Sequence, residues 1–176
     1  YFAVNTLGTV PALVDGDVVM TESSAICHYL AARYGPASLS VAADEADFGP
    51  FLDYLHHADA TLTFPQTVAL RFCVFEQARG LAEAGEAYGK WFGKRLAKID
   101  ARLADRAYLC AGRFTVADIA IAYALYLTRV TRLEHHLTPR LKEWLAGMMA
   151  RPGFAAAAAW EDVVAAEQGV PNRIGG

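Results

Sequence analysis

Hydrophobic positions change their period once along this chain, and the change divides it in two. In the opening stretch Val10-Pro11-Ala12-Leu13-Val14 and Asp17-Val18-Val19-Met20 flank Asp15-Gly16, a dipeptide suited to a tight turn. The pattern predicts two short antiparallel strands joined as a hairpin. Pro11 lacks an N–H and belongs at a strand start or on an edge. Thr21, Ser23 and Ser24 then offer N-cap oxygens to a helix carrying Ile26, Tyr29, Leu30 and Tyr34 at helical spacing. Gly35-Pro36 is expected to end it, with the glycine left-handed past the last turn. Residues 36–46 are small and polar and read as a linker.

From Asp47 onward the spacing is helical throughout. Phe51, Tyr54, Leu55 and Leu62 begin one helix, which Pro65 is expected to kink or break before Val68, Leu70 and Phe72. Tyr88, Phe92, Leu96, Ile99 and Leu103 mark a second, and Tyr108–Gly112 connects it onward. A third, from Thr115 to about Arg132, is apolar almost all round, which predicts the central buried helix. Leu137–Ala150 and Phe154–Gln168 supply two more. Phe154 and Trp160 are expected to pack the alanine run 155–159, and Gly169-Val170-Pro171 to close the last helix. The organisation is therefore a hairpin and helix over 1–35, a linker over 36–46 and an all-helical domain over 47–176. A hairpin with one helix is too small to stand alone in water, so residues preceding Tyr1 are expected to complete its sheet.

Composition narrows the class. Of 176 residues, 55% are apolar and 20% charged, enough to bury a sizeable core; 16 Lys+Arg against 19 Asp+Glu leave a net charge of −3. That near-balance, with no basic cluster, argues against nucleic acid as a partner. No apolar run reaches the ~18–20 residues of a membrane span, and the start lacks the basic and apolar regions of a signal peptide. Cys27, Cys73 and Cys110 are odd in number and widely spaced, as expected of reduced thiols in a cytoplasmic protein.

Two local signatures carry chemistry. Glu22-Ser23 at a helix start, behind Val10-Pro11-Ala12-Leu13, combines a hydroxyl, unpaired backbone N–H groups and the positive end of the helix dipole, a setting suited to a ligand carboxylate. Phe114-Thr115-Val116-Ala117-Asp118-Ile119 is a capping-box variant with a hydrophobic staple, so Thr115 and Asp118 are assigned to folding. With Asn5-Thr6-Leu7-Gly8-Thr9 and Arg151-Pro152-Gly153-Phe154, these signatures resemble the cytosolic glutathione transferase family, in a bacterial style, over essentially the whole chain.

The resemblance implies a fold and a function. The fold is α+β followed by α, a partial thioredoxin-like domain (hairpin plus helix) joined to a helical-bundle domain. Ser23 and its N–H would hold the γ-glutamyl carboxylate of glutathione, with Glu22 helping at the ammonium end. Val10 would pair its backbone with the cysteinyl part beside a cis Pro11. The residue that activates the sulfur, a Tyr, Ser or Cys, is expected before Tyr1, so the catalytic residue has no number here. Tyr54, Phe64 and Trp91 lie in helices that line the electrophile pocket of such enzymes, although core packing explains each equally well. Asp59 would reach the ammonium of glutathione bound to a neighbouring subunit of a homodimer.

The expected activity is conjugation of the glutathione thiolate to a small hydrophobic electrophile, a detoxification reaction, with glutathione as co-substrate and no metal. Adjacent histidines, His56-His57 and His135-His136, point about 100° apart on a helix and cannot chelate one ion. Two other readings stay open: a non-catalytic interaction module of the same fold, and a glutathione-dependent reductase or isomerase.

Overall fold

The computed structural model describes residues 1–170; the closure expected at Pro171 lies outside the described residues. Strands β1 (Leu13–Asp15) and β2 (Val18–Met20) pair antiparallel, Leu13 opposite Met20 and Asp15 opposite Val18. The turn is one residue later than the sequence suggests. Gly16 and Asp17 make the loop, Gly16 taking the positive φ of 58° that a two-residue hairpin turn demands at its first position. Asp15 stays on the strand because its carboxylate is engaged, accepting from the Tyr29 hydroxyl at 2.8 Å and from that of Tyr34. Val10 to Ala12 lie outside the ladder, and the Val10–Pro11 bond is cis.

Helix α1 (Ser23–Arg33) begins at Glu22, whose backbone is extended, and no side chain among the described residues caps that end. The expected caps Thr21, Ser23 and Ser24 do not serve: Ser23 and Ser24 are already inside the helix. Its inner face carries Ser24, Ile26 and Ala31, whereas Leu30 and Tyr34 are exposed. Gly35 follows without a left-handed turn. Its place is set by close approach instead, since a Cβ there would lie 3.0 Å from Ala31 Cα and 3.1 Å from Ala31 O.

The first long helix of the bundle is not broken at Pro65 but rewound. Helix α2 (Phe48–His56) passes into a π-helical stretch, His57–Thr63, then α3 (Phe64–Leu70), then a second π stretch, Arg71–Phe75. A proline inside an α-helix loses one hydrogen bond and collides with the carbonyl four residues back; the wider π winding ahead of Pro65 absorbs both. Helix α4 (Ala82–Arg102) buries Gly85, Gly89, Phe92, Leu96 and Ile99, a stripe at steps of four and three. Helix α5 (Val116–Tyr126) is central as expected, with Val116, Ala117, Ile121, Ala124 and Leu125 all buried. A short α6 (Thr128–Thr131), α7 (Pro139–Met149) and α8 (Pro152–Gln168) complete the bundle. Trp160 does not pack on the alanine run; it is 68% exposed, and α8 buries only Ala165 fully.

One network fixes the connection into α5 and fastens the 36–46 link to it. Thr115 and Asp118 form the capping box. The Asp118 carboxylate, fully buried, accepts from Thr115 N at 2.8 Å, Thr115 Oγ1 at 3.0 Å and Leu109 N at 2.9 Å. Burial pushes this carboxyl up, and the hydrogen bonds pull it back. Asp47, just before α2, accepts from Ala111 N at 2.7 Å and pairs with Arg102 at 3.1 Å. Arg113 grips the 36–46 segment, donating to the carbonyls of Ser38 and Ser40 and through both terminal nitrogens to Glu45 at 2.7 Å.

Asp118→Ala leaves buried N–H groups of Leu109 and Thr115 unpaired, and urea unfolding should show a loss of about 2–4 kcal/mol, with a smaller loss for Asp118→Asn. Arg113, together with the Ala42 N–H, lowers the Glu45 carboxyl from 4.5 to about 2. Its contribution is therefore fully present above the ordinary carboxylate range and disappears as pH falls through about 2. The difference in unfolding free energy between wild type and Glu45→Gln should accordingly be largest near neutral pH and shrink toward zero in strong acid.

Candidate functional site

The hairpin register decides where the candidate binding residues lie. Leu13 and Met20 close the ladder at its open end, so Val10-Pro11, ahead of β1, and Glu22-Ser23, after β2, both lie at that end of the ribbon. The turn end is tied to the far half of α1 through Asp15, Tyr29 and Tyr34, with Arg33 at 3.5 Å from the carboxylate. The Tyr34 and Tyr29 hydroxyls, in that order, hold the Asp15 carboxyl below its usual range. With its tip fastened there, the ribbon keeps its open end beside the start of α1.

That start is chemically available. Glu22 and Ser23 are exposed, Ser24 is buried, and Val10 is 81% exposed. The first N–H groups of an α-helix have no partner within it, and no side chain among the described residues caps them. Ahead of the proline, Asn5 builds a tight loop, donating to the Thr9 carbonyl at 2.6 Å and accepting from Leu7 N at 3.0 Å. The signal for this loop in the sequence is an Asn three residues before a Gly.

Asp59 lies in the first π stretch, and its Oδ1 is 3.5 Å from the Ser23 hydroxyl of the same chain. Cys27, one turn along α1 from Ser23, senses it: burial raises the thiol pKa, and the Asp59 charge adds to the rise. Cys110 is buried, and burial pushes its thiol up to about 11. Neither is an activated nucleophile.

The three proposed pocket residues separate. Tyr54 is buried in the core, beneath Lys98 and Arg102 at 5.2 and 5.8 Å from its ring. Phe64 and Trp91 meet through Tyr88, at ring distances of 6.2 and 5.4 Å, and Arg95 stands 4.5 Å over Trp91. Tyr88, three residues before Trp91 on α4, is the ring that joins them, and its helical spacing alone gives no sign of that role. A separate apolar cavity of about 630 Å³ opens between α5, the end of α7 and α8, walled by Phe114, Tyr123, Tyr126 and Phe154; none of Tyr54, Phe64 and Trp91 lines it. The two adjacent histidines of the 134–136 turn sit on a 3₁₀ turn, with ring centroids 4.1 Å apart instead of splayed. Among the described residues no helix is long and apolar enough to cross a membrane.

A hairpin and helix with an open, uncapped helix start, packed on an all-helical bundle, define a thioredoxin-like unit joined to a helical domain. The comparisons with known proteins agree. Residues 1–38 match the glutathione S-transferase N-terminal domain, and residues 78–147 match the glutathione S-transferase C-terminal domain. Glutathione S-transferase 3 of Zea mays is 32% identical over 166 residues, 88% of this chain and 72% of that protein. Glutathione S-transferase GstB of Escherichia coli strain K12 is 31% identical over 157 residues, 86% of this chain and 74% of its own. The structure of Ure2p5 from Phanerochaete chrysosporium, cocrystallised with 1-(S-glutathionyl)-2,4-dinitrobenzene, superposes with a TM-score of 0.79 at 23% identity, over 94% of this chain and 80% of that one. A sphingomonad glutathione S-transferase complexed with glutathione gives 0.73 at 25% identity, covering 89% and 75%. This chain belongs to the glutathione S-transferase family.

If Asp59 faces Ser23 and Cys27 within one chain, Asp59→Asn removes a charge that raises the Cys27 thiol. The pH profile of Cys27 alkylation, followed by mass spectrometry, should shift to lower pH in that variant while the Cys110 profile stays in place.

Proposed function

We propose that this chain binds glutathione at Val10, Pro11, Glu22 and Ser23 and transfers its thiolate to a small hydrophobic electrophile. The observation that carries the reading is the uncapped start of α1 at the same end of the ribbon as Val10. A ligand carboxylate there receives the Ser23 hydroxyl, backbone N–H groups and the positive end of the helix dipole. The exposed Val10 backbone offers an edge to an extended peptide, as an added strand would use.

A γ-glutamyl group carries its ammonium on the same carbon as its carboxylate, so the cation must lie close to Ser23 once the carboxylate is seated. Glu22 beside Ser23 in sequence, and Asp59 beside it in space, are the anions within reach. In this reading Asp59 serves glutathione bound to its own chain rather than to a neighbouring subunit. The ring group Phe64–Tyr88–Trp91 is the wall we assign to the electrophile, because Phe64 follows Asp59 by five residues on one continuous helical rod, only about 7 Å along its axis. Residues 1–35 form the glutathione-binding unit, 36–46 the link, and 47–176 the electrophile side.

The chemistry asked of the protein is modest. A thiol of pKa about 8.5 is about 3% ionised at pH 7, and one of about 6.5 is roughly 75% ionised. Beyond that, orientation of the bound peptide and an apolar surface for the acceptor supply the remaining advantage.

Calorimetric titration of glutathione tests the reading. Ser23→Ala should weaken binding by about 1.5–3 kcal/mol, the scale of a hydrogen bond to a charged group. Unchanged affinity in that variant, or no binding by the folded wild-type protein, would remove the carboxylate site.

A further inference from the structure

The turn from α6 to α7 is docked on α4 by a pair of neighbouring histidines that the proposed chemistry does not use. The His136 ring occupies space that only a glycine leaves open: a Cβ on Gly93 would lie 2.6 Å from His136 Nδ1. One turn earlier on α4, a Cβ on Gly89 would lie 3.0 Å from the Leu133 side chain. His136 also meets Phe92 edge-on at 6.3 Å, and the His135 ring lies 4.1 Å from it, tilted by 41°. The same turn is tied inward by Thr131, which donates to buried Gln66 at 3.0 Å. We propose that His136, with His135 beside it, is an acid-sensitive latch, holding the 131–138 turn on the glycine-lined face of α4 near neutral pH and releasing it on mild acidification.

The charges around the pair set the sign. A pocket of about 310 Å³ beside it is lined by Lys90 and Glu86 from α4, Cys73 from the second π stretch, and Arg132 from the turn itself. Glu134, between the helices, is 3.6 Å from Arg129. Protonating the His136 ring thus adds positive charge where Lys90 and Arg132 already stand and Glu86 is the lone anion lining the pocket. Burial, and then His135, push the His136 imidazole below its ordinary value. The undocked turn therefore takes up protons first. Docking is complete above the ordinary imidazole value of about 6.5 and weakens as pH falls below it.

Hydrogen exchange of the full chain, corrected for the intrinsic rate at each pH, tests this directly. Between pH 7.5 and pH 5.5, amides of residues 128–138 should lose protection several-fold in the wild type. In His136→Phe, which keeps an aromatic ring against Phe92 but cannot be protonated, that loss should vanish. His135→Ser, at an exposed position, should show a smaller loss than the wild type. Wild-type protection that does not change with pH, or the same loss in both variants, would overturn the latch. Exchange at His57, whose imidazole is also lowered by burial, reports in peptides from the first π stretch and is read separately.

Discussion

The start of the bundle's central helix, and the connection that leads into it, are set by a carboxylate that sees no solvent. Asp118 spends its three hydrogen bonds on Thr115 and Leu109, so it both starts α5 and fixes the connection that leads into it. A buried carboxylate is tolerable only when its acceptor capacity is filled, and here filling it is what defines the backbone path. Asp47 takes the Ala111 amide of the same connection, Arg102 bridges Asp47 to the Leu109 carbonyl, and Arg113 at the far end seizes the segment that follows α1. The link between the hairpin unit and the bundle is thus clamped by groups on both sides of the 103–115 connection.

The candidate binding surface inherits its geometry from two smaller constraints. Asp15, accepting from Tyr29 and Tyr34, fastens the ribbon's tip to the late turns of α1, which directs the open end to the helix start. The π winding before Pro65 rotates the helical rod, and the residue it presents to Ser23 is Asp59. An ordinary α-helix through the same residues would place Asp59 on a different bearing, since a π turn takes more residues than an α turn.

Much of this was legible along the chain, and the exceptions share a cause. Strand pairing, the run of helices, the central position of α5 and the capping box follow from period and from local polar pairs such as Thr115 with Asp118. Misreadings arose where a distant group competes with a local preference. Asp15-Gly16 is a favourable turn in isolation, but two tyrosines on α1 draw Asp15 onto the strand. Gly35 looked like a left-handed cap, yet its lack of a side chain serves contact with Ala31. Adjacent histidines diverge on an α-helix, but the 3₁₀ turn at 134–136 brings their rings within 4.1 Å. Trp160 has the composition of a packing residue and an exposed position in the described residues.

Sequence alone determined the class: the pairing of Val10-Pro11 with Glu22-Ser23, the capping box, and the change from strand to helical period are local or nearly so, and local physics suffices for them. Tertiary structure decided which side chains meet. Asp59 beside Ser23, Phe64 joined to Trp91 through Tyr88, and Tyr54 sunk into the core depend on how two helices are rotated against each other. That rotation is set by the sum of many weak contacts across the interface, and no short stretch of residues contains it.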